Sequence, residues 1–284
     1  MSQLYKIKNK GIKPFLKWAG GKQWLSDRLI RLVPETHHTY FEPFLGGGSL
    51  FFAACPKRAI LGDINERLIE TYLAVRDYPD DIIEALSQWP NEKKVYYQIR
   101  SSEYSDAALR AAQFIYLNKS CWNGLYRVNK KGRFNVPFGN NRRDIFYSQQ
   151  ILEASGILKN AELKCCDFQE LVQIATAGDF VYLDPPYTVL HSKNGFRRYN
   201  EKLFSWDDQV RLAETAHVLA KRGCLVLVSN AYNEDLANLY PDFVRLRLYR
   251  HSTLAADTLC RRGTQEALFL SCKDIVHDCF ASNN

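Results

Sequence analysis

The sequence predicts an α/β fold built on a doubly wound, mainly parallel, Rossmann-like sheet. Three observations lead there. Short apolar and β-branched runs recur along the chain, segments of helical periodicity separate most of them, and one such run ends in a triple glycine. Strands alternating with helices bury both faces of a parallel sheet. The runs expected as strands are residues 40–44, 59–63, 162–166, 180–184, 224–229, 244–248 and 266–271. Apolar residues at helical spacing mark 24–33, 206–222 and 234–240 as helices.

One interval breaks the alternation. After Asp63 about a hundred residues pass before the strand at Glu162. Helical patterns fill 66–77 and 107–118, and then "NKSCWNGLYRVNKKGRFNVPFGNNRR" is neither periodic nor apolar. A structureless loop of that length does not suit a compact domain. Residues 65–155 therefore read as an inserted, mostly helical second domain, leaving 1–64 and 156–284 for the sheet domain. Neither internal repeats nor low-complexity tracts are present.

Bulk composition narrows the class. With 284 residues and 46% hydrophobic content the chain can bury a large core, so disorder is not expected. A net charge of +7 permits an anionic partner without demanding one. Lys6, Lys8, Lys10 and Lys13 are not followed by an apolar run, so no signal peptide is expected. The longest apolar strings, such as 224–228, are too short to cross a bilayer. The expectation is a soluble, cytoplasmic protein with no membrane partner. Cys55, Cys121, Cys165, Cys166, Cys224, Cys260, Cys272 and Cys279 form no C-x-x-C pair and read as reduced thiols. Cys272, His277 and Cys279 fit no common zinc spacing, so no metal is expected.

Two glycine-bearing turns point to a nucleoside. In "YFEPFLGGGSLFF" an expected strand runs through Phe44 into Gly46, Gly47 and Gly48 before a helix-like segment. Glycines there allow a tight turn and close approach of a ligand to the backbone. Asp63 ends the next strand, where an acidic side chain binds ribose hydroxyls. Phe51 occupies the last glycine position of G-x-G-x-x-G, which disfavours NAD. Alone, the motif also fits a purely structural turn. "KPFLKWAGGKQWL" is a second such turn, in which Trp18 offers a flat surface and Lys22 a point charge; it also fits a helix entry with an aromatic anchor.

The stretch "FVYLDPPYTV" carries the chemistry. Asp184 falls at the carboxyl end of a strand, where open α/β sheets place ligands. Pro185 and Pro186 fix φ and remove two backbone donors, so the Pro185 carbonyl becomes an acceptor beside the carboxylate. Two adjacent acceptors suit a planar amine with two N–H donors, and Tyr187 can cover the ring that bears it. Such an amine is a poor nucleophile because its lone pair is delocalised. Accepting its hydrogens directs that lone pair toward an electrophile, a methyl group on a sulfonium, without a metal. An ordinary strand-ending turn is the competing reading.

Residues 119–143 hold Lys119, Arg127, Lys130, Lys131, Arg133, Arg142 and Arg143 and no acidic residue. That charge would neutralise several phosphates. Trp122, Tyr126, Phe134 and Phe138 interleave with the cations, as in a hairpin that packs inward and faces DNA outward, with a turn expected at Lys131-Gly132. A solvated basic loop is the alternative.

"KWAGGK", "FEPFLGGG", "GDIN", "NGLYRVN", "FNVPFG" and "DPPY" occur in one order. In this the chain resembles the Dam-type (alpha-class, DPPY) adenine-specific DNA methyltransferases, from about Lys13 to Ser271. The resemblance implies a methyltransferase sheet with one antiparallel strand and a target-recognition domain with a β-hairpin. It implies S-adenosyl-L-methionine as methyl donor and double-stranded DNA as partner, in a bacterial or phage-infected cell, with no obligate protein partner evident. By the same resemblance Trp18, Lys22, Phe44, Gly46, Gly48, Asp63, Asp167, Phe168 and Asp184 belong to the cofactor site. Catalysis falls to Asp184, Pro185, Pro186 and Tyr187. Cys166 departs from the family's usual small residue before Asp167. DNA contacts fall to Lys17, Asn123, Leu125, Arg127, Asn135 and Arg142, with Arg197 and Tyr199 from "SKNGFRRYNEKLF", a segment expected to close over a flipped adenine. An arginine fork on guanine beside the adenine suits GATC. Other planar amines (cytosine in DNA, an RNA adenine, a protein glutamine) remain alternatives, as does a catalytically silent DNA-binding protein.

Overall fold

The computed structural model describes residues 11–18, 20–22, 24–139, 148–187, 204–250 and 264–272. Among them seven strands form one sheet: β1 Tyr40–Glu42, β2 Ala59–Asp63, β3 Ala161–Cys165, β4 Phe180–Leu183, β5 Leu225–Ala231, β6 Val244–Arg250 and β7 Thr264–Leu270. Their order is β3-β2-β1-β4-β5-β7-β6. Pairs β1–β4, β4–β5 and β2–β3 are parallel, and β7 runs antiparallel between β5 and β6. The expected single antiparallel strand is β7. The chain winds outward from β1 through β2 and β3, then returns with β4 on the other side of β1. Open α/β sheets bind ligands at such a reversal, beyond the carboxyl ends of the strands.

The chain divides into two compact units. The first comprises Arg31–Phe44 and the described part of Phe168–Asn284. It holds β1, β4 to β7, and helices α8 Phe168–Val172, α9 Trp206–Lys221 and α10 Glu234–Ala237. All four residues of β4 are buried, as are Val226 to Asn230 of β5, the continuous burial of central parallel strands. α9 starts at a capping box. The Ser205 hydroxyl accepts from the Asp208 N–H at 3.2 Å, and the Asp208 carboxylate accepts from the Ser205 N–H at 2.9 Å.

The second unit comprises Leu45–Asp167 and the described part of Ile7–Ile30. It holds β2, β3 and seven of the described helices: α1 Ser26–Leu29, α2 Ser49–Ala54, α3 Glu66–Asp77, α4 Pro79–Ser87, α5 Lys93–Ser101, α6 Ala107–Ser120 and α7 Ser148–Leu158. α6 is buried on most of its surface and packs against α3, α4 and α5, so it is the central helix of this unit. Phe15 lies edge-on to Tyr72, ring centroids 5.0 Å apart, in an aromatic core completed by Phe52.

Several expectations are corrected. The helix expected over 24–33 is α1 followed by a 3-10 turn, Ile30–Leu32. Helix α10 stops at Ala237 rather than 240. Helices α4, α5, α7 and α8 are additional to those that the periodicity marks. The hairpin after Cys121 is two isolated antiparallel bridges, Cys121 with Phe138 and Val128 with Phe134, instead of a continuous ladder. Its turn closes with Gly132 N–H on the Asn129 carbonyl, and Gly132 takes φ +73° there. Among the described residues no helix is long and apolar enough to cross a membrane.

Candidate active site

In the second unit the "GDIN" tetrapeptide joins a strand end to a helix start. Asp63 ends β2, and Asn65 caps α3 by accepting the Leu68 N–H at 3.2 Å. One Asp63 oxygen accepts the Gly46 N–H at 3.0 Å and the other the Asn65 N–H at 2.9 Å. Burial pushes this carboxyl above the usual range, against the pull of the Asn65, Gly46 and Ile64 amides. The acceptor capacity remaining on this carboxylate suits the hydroxyls of a ribose, which would donate to it.

The triple glycine has a reason that the sequence did not reveal. A Cβ on Gly46 would stand 2.7 Å from Trp18 Cδ1, and one on Gly47 would stand 3.0 Å from Trp18 Cβ. The turn is bare because the indole packs on it. Trp18 in turn stacks on Tyr126 and Phe114, with centroids 5.5 and 6.2 Å away. Gly48 holds φ +64° at the start of α2, and the Tyr72 hydroxyl donates to the Gly46 carbonyl at 3.1 Å. Lys22 is buried. Asp167 is half-buried after β3.

In the first unit Asp184 follows β4 directly and is half-buried, with Pro185 buried, Pro186 exposed and Tyr187 half-buried. The Ser229 hydroxyl donates to Asp184 Oδ1 at 2.6 Å, and Tyr182 lies 3.0 Å behind Ser229. Burial first, and the Asp184 charge next, raise the Tyr182 hydroxyl well above its ordinary value. On β1 the Tyr40 hydroxyl donates to the buried Glu42 carboxylate at 2.7 Å. Phe168 is also in this unit, buried against Phe44 (5.3 Å) and Phe204 (6.0 Å) with the Arg211 guanidinium 4.4 Å from its ring centroid. Phe44 keeps partial exposure and Phe168 backs it.

The basic segment belongs to the second unit, and there it meets the "KWAGGK" loop. Buried Asn118 accepts the Lys17 N–H at 2.8 Å and donates to the carbonyls of Lys17 (2.7 Å) and Gly124 (3.3 Å). A Cβ on Gly124 would strike Lys17 Cβ at 2.7 Å, and Gly124 has φ +64°. Lys17, Asn123, Leu125 and Arg127 are thus gathered on one loop cluster; Lys17, Asn123 and Arg127 are exposed, Leu125 half-buried. Arg127 Nε donates to Asn135 Oδ1 at 2.7 Å, so Asn135 braces the guanidinium. Trp122, expected to pack inward, is 54% exposed instead. Ser229, Tyr182, Glu42 and Asn118 join these networks without a sequence motif of their own. Only for Ser229 was there a signal, a polar pair Ser229-Asn230 ending an apolar strand. Arg142, Arg197 and Tyr199 lie outside the described residues.

A sheet of this order, closed at β4 by Asp-Pro-Pro-Tyr, fits a methyltransferase fold. Residues 18–254 match the profile of the D12 class N6 adenine-specific DNA methyltransferases, and the chain belongs to that family. It is 39% identical over 248 residues to the type II methyltransferase M1.LlaDCHI of Lactococcus lactis, covering 83% of this chain and 87% of the relative. It is 40% identical over 257 residues to the type II methyltransferase M.MjaIII of Methanocaldococcus jannaschii, covering 82% and 89%. To the DNA adenine methylase of Vibrio cholerae it is 37% identical over 235 residues, covering 80% and 84%.

Proposed function

We propose that this chain transfers a methyl group from S-adenosyl-L-methionine to the exocyclic amine of an adenine flipped out of double-stranded DNA, within GATC. The observation that carries the reading is the half-buried Asp184 carboxylate at the carboxyl end of β4, held by a 2.6 Å hydrogen bond. The residues around Asp63 fit the donor: its two oxygens suit the ribose hydroxyls, with Trp18, Lys22, Phe44, Gly46, Gly48, Asp167 and Phe168 completing the assignment. When bound, the donor supplies an electrophilic methyl carbon on a positively charged sulfur.

Asp184 and the Pro185 carbonyl accept the two amine hydrogens, and Tyr187 covers the adenine ring. With the donor held by the residues around Asp63, the amine nitrogen so oriented would be placed for in-line attack: a C–N bond would form as the C–S bond broke, leaving the electron pair on sulfur and one proton to depart from nitrogen. Extruding the base costs a few kcal/mol, roughly, which the DNA contacts must offset. We assign those contacts to Lys17, Asn123, Leu125, Arg127 and Asn135, and residues 65–155 to target recognition. The sheet residues 1–64 and 156–284 then form the catalytic domain, in the cytoplasm of a bacterial or phage-infected cell.

Replacing Asp184 by alanine is the decisive test. Plasmid DNA from cells expressing the wild-type chain should carry N6-methyladenine in GATC, by nucleoside mass analysis and modification-sensitive sequencing. The Asp184→Ala variant should leave the DNA unmodified while still binding it. Wild-type methylation of cytosine, or undiminished methylation by the variant, overturns the reading.

A further inference from the structure

Asp184 needs more than a place at a strand end. Its neighbour acceptor, the Pro185 carbonyl, sits in a backbone that the proline rings stiffen. A carboxylate is different, because rotation about its terminal bond is broad and roughly two-fold. For both acceptors to face one amine, something must stop the carboxylate turning.

The structure supplies that stop on the adjacent strand. Leu183 pairs with Val228 in the parallel register of β4 and β5, so Asp184 and Ser229 follow side by side. Ser229 Oγ lies 2.6 Å from Asp184 Oδ1, the length of a charge-assisted O–H···O⁻ bond. A serine hydroxyl has one proton, and here the carboxylate receives it. Tyr182, 3.0 Å from Ser229 Oγ, must therefore be the donor to Ser229. Both hydroxyls are buried, Ser229 completely. Tyr182 keeps its proton, since burial and the nearby Asp184 and Glu42 charges all oppose its ionisation. The chain of donors runs one way, from Tyr182 through Ser229 to Asp184.

We propose that Ser229, held by Tyr182, is the positioning residue that fixes the rotation of the Asp184 carboxylate for methyl transfer. This rests on the reading of Asp184 as the acceptor of an amine hydrogen. Ser229 is fully buried, so its removal should change the rate within the bound complex and not the assembly of that complex.

The test uses the full chain with Ser229→Ala and Tyr182→Phe, on a duplex carrying the site that sequencing identifies. Single-turnover rates are measured at saturating S-adenosyl-L-methionine and DNA. Dissociation constants for S-adenosyl-L-homocysteine and for the duplex are measured separately, with 2-aminopurine in place of the target adenine to report extrusion. Ser229→Ala should lower the single-turnover rate by about 100-fold, and Tyr182→Phe by about 10-fold. Both dissociation constants should stay within about two-fold, and the aminopurine signal should persist. A folded variant with the wild-type single-turnover rate overturns the proposal. So does a loss confined to ligand or DNA binding, since a purely structural role would give that. If Ser229→Ala does not fold, Tyr182→Phe decides by the same criteria. Failure of the wild-type chain to methylate adenine sinks the proposed function itself. An active wild type with unaffected variants sinks only the role of Ser229.

Discussion

Asp63 and Lys119 show how single groups are tuned by what surrounds them. Asp63 accepts from backbone amides of the glycine turn and of the start of α3. Asn at this position keeps one acceptor oxygen and turns an NH2 toward the other amide, leaving that buried donor without a partner. Asp63→Asn should therefore destabilise the ligand-free protein by about 1–3 kcal/mol, read from urea denaturation without any methyl donor. A donor-binding role alone predicts no such loss. Lys119 is half-buried in α6, its amine 3.4 Å from Gln150 Oε1. Burial, and then the charge of Lys17, push its pKa down to about 8 from 10.5. Between those two values the unfolded chain holds a proton that the folded chain has released. Stability from this group therefore rises as pH climbs from about 8 toward 10.5. Lys119→Met should abolish that rise, seen by comparing denaturation midpoints of both proteins at pH 8 and pH 10.

At the scale of elements, legibility followed how locally each one is specified. Helix α3 is legible from its apolar period, and Asn65 caps its start. Asn65→Ala should cost about 1 kcal/mol in the same denaturation assay. Helix α4 begins with Pro79 at its first position and Asp80 and Asp81 in its first turn, a start signal carried by few residues. Helix α5 buries only Tyr96 and Ile99, too few apolar positions to mark a period. In the site, Asp63, Asp184 and the glycines were legible because their chemistry travels with a short motif. Asn118 was not, since it clamps Lys17 from 101 residues away, and Ser229 meets Asp184 only through strand register. The basic segment offers a check at this scale. Lys130 and Lys131 are exposed beside the turn, whereas Arg133 is paired with Glu103 at 2.9 Å. Lys130→Gln with Lys131→Gln should lower the slope of log affinity for duplex DNA against log salt by up to about 1.8, or about 0.9 for each phosphate no longer neutralised. It should leave the preferred site unchanged. Arg127→Ala should instead relax base preference, at about 1–3 kcal/mol of discrimination.

For the molecule as a whole, a net charge of +7 and a D12-family sequence frame the same problem from two sides. Positive charge draws the chain to any DNA, and its salt dependence reports phosphates rather than chemistry. The methyl donor is the more selective probe, because anything that binds the native state and not the unfolded one stabilises the fold by mass action. S-Adenosyl-L-homocysteine, the product form of the proposed donor, is the suitable ligand because it cannot react. At about 100 times its dissociation constant it should add roughly 2.7 kcal/mol. For a chain of this size that corresponds to roughly 4–5 °C in melting temperature. Asp63→Ala should lose most of the shift, because the carboxylate that suits the ribose hydroxyls is gone. The Lys130 and Lys131 double variant should keep all of it, because those exposed turn residues are not among the ones assigned to the donor. NAD at the same concentration should give no shift, as Phe51 in the last glycine position implies. A wild-type protein stabilised equally by NAD and by S-adenosyl-L-homocysteine would mean that the glycine turn and Asp63 form a general nucleoside cradle, and the donor assignment would fall while the family membership stood.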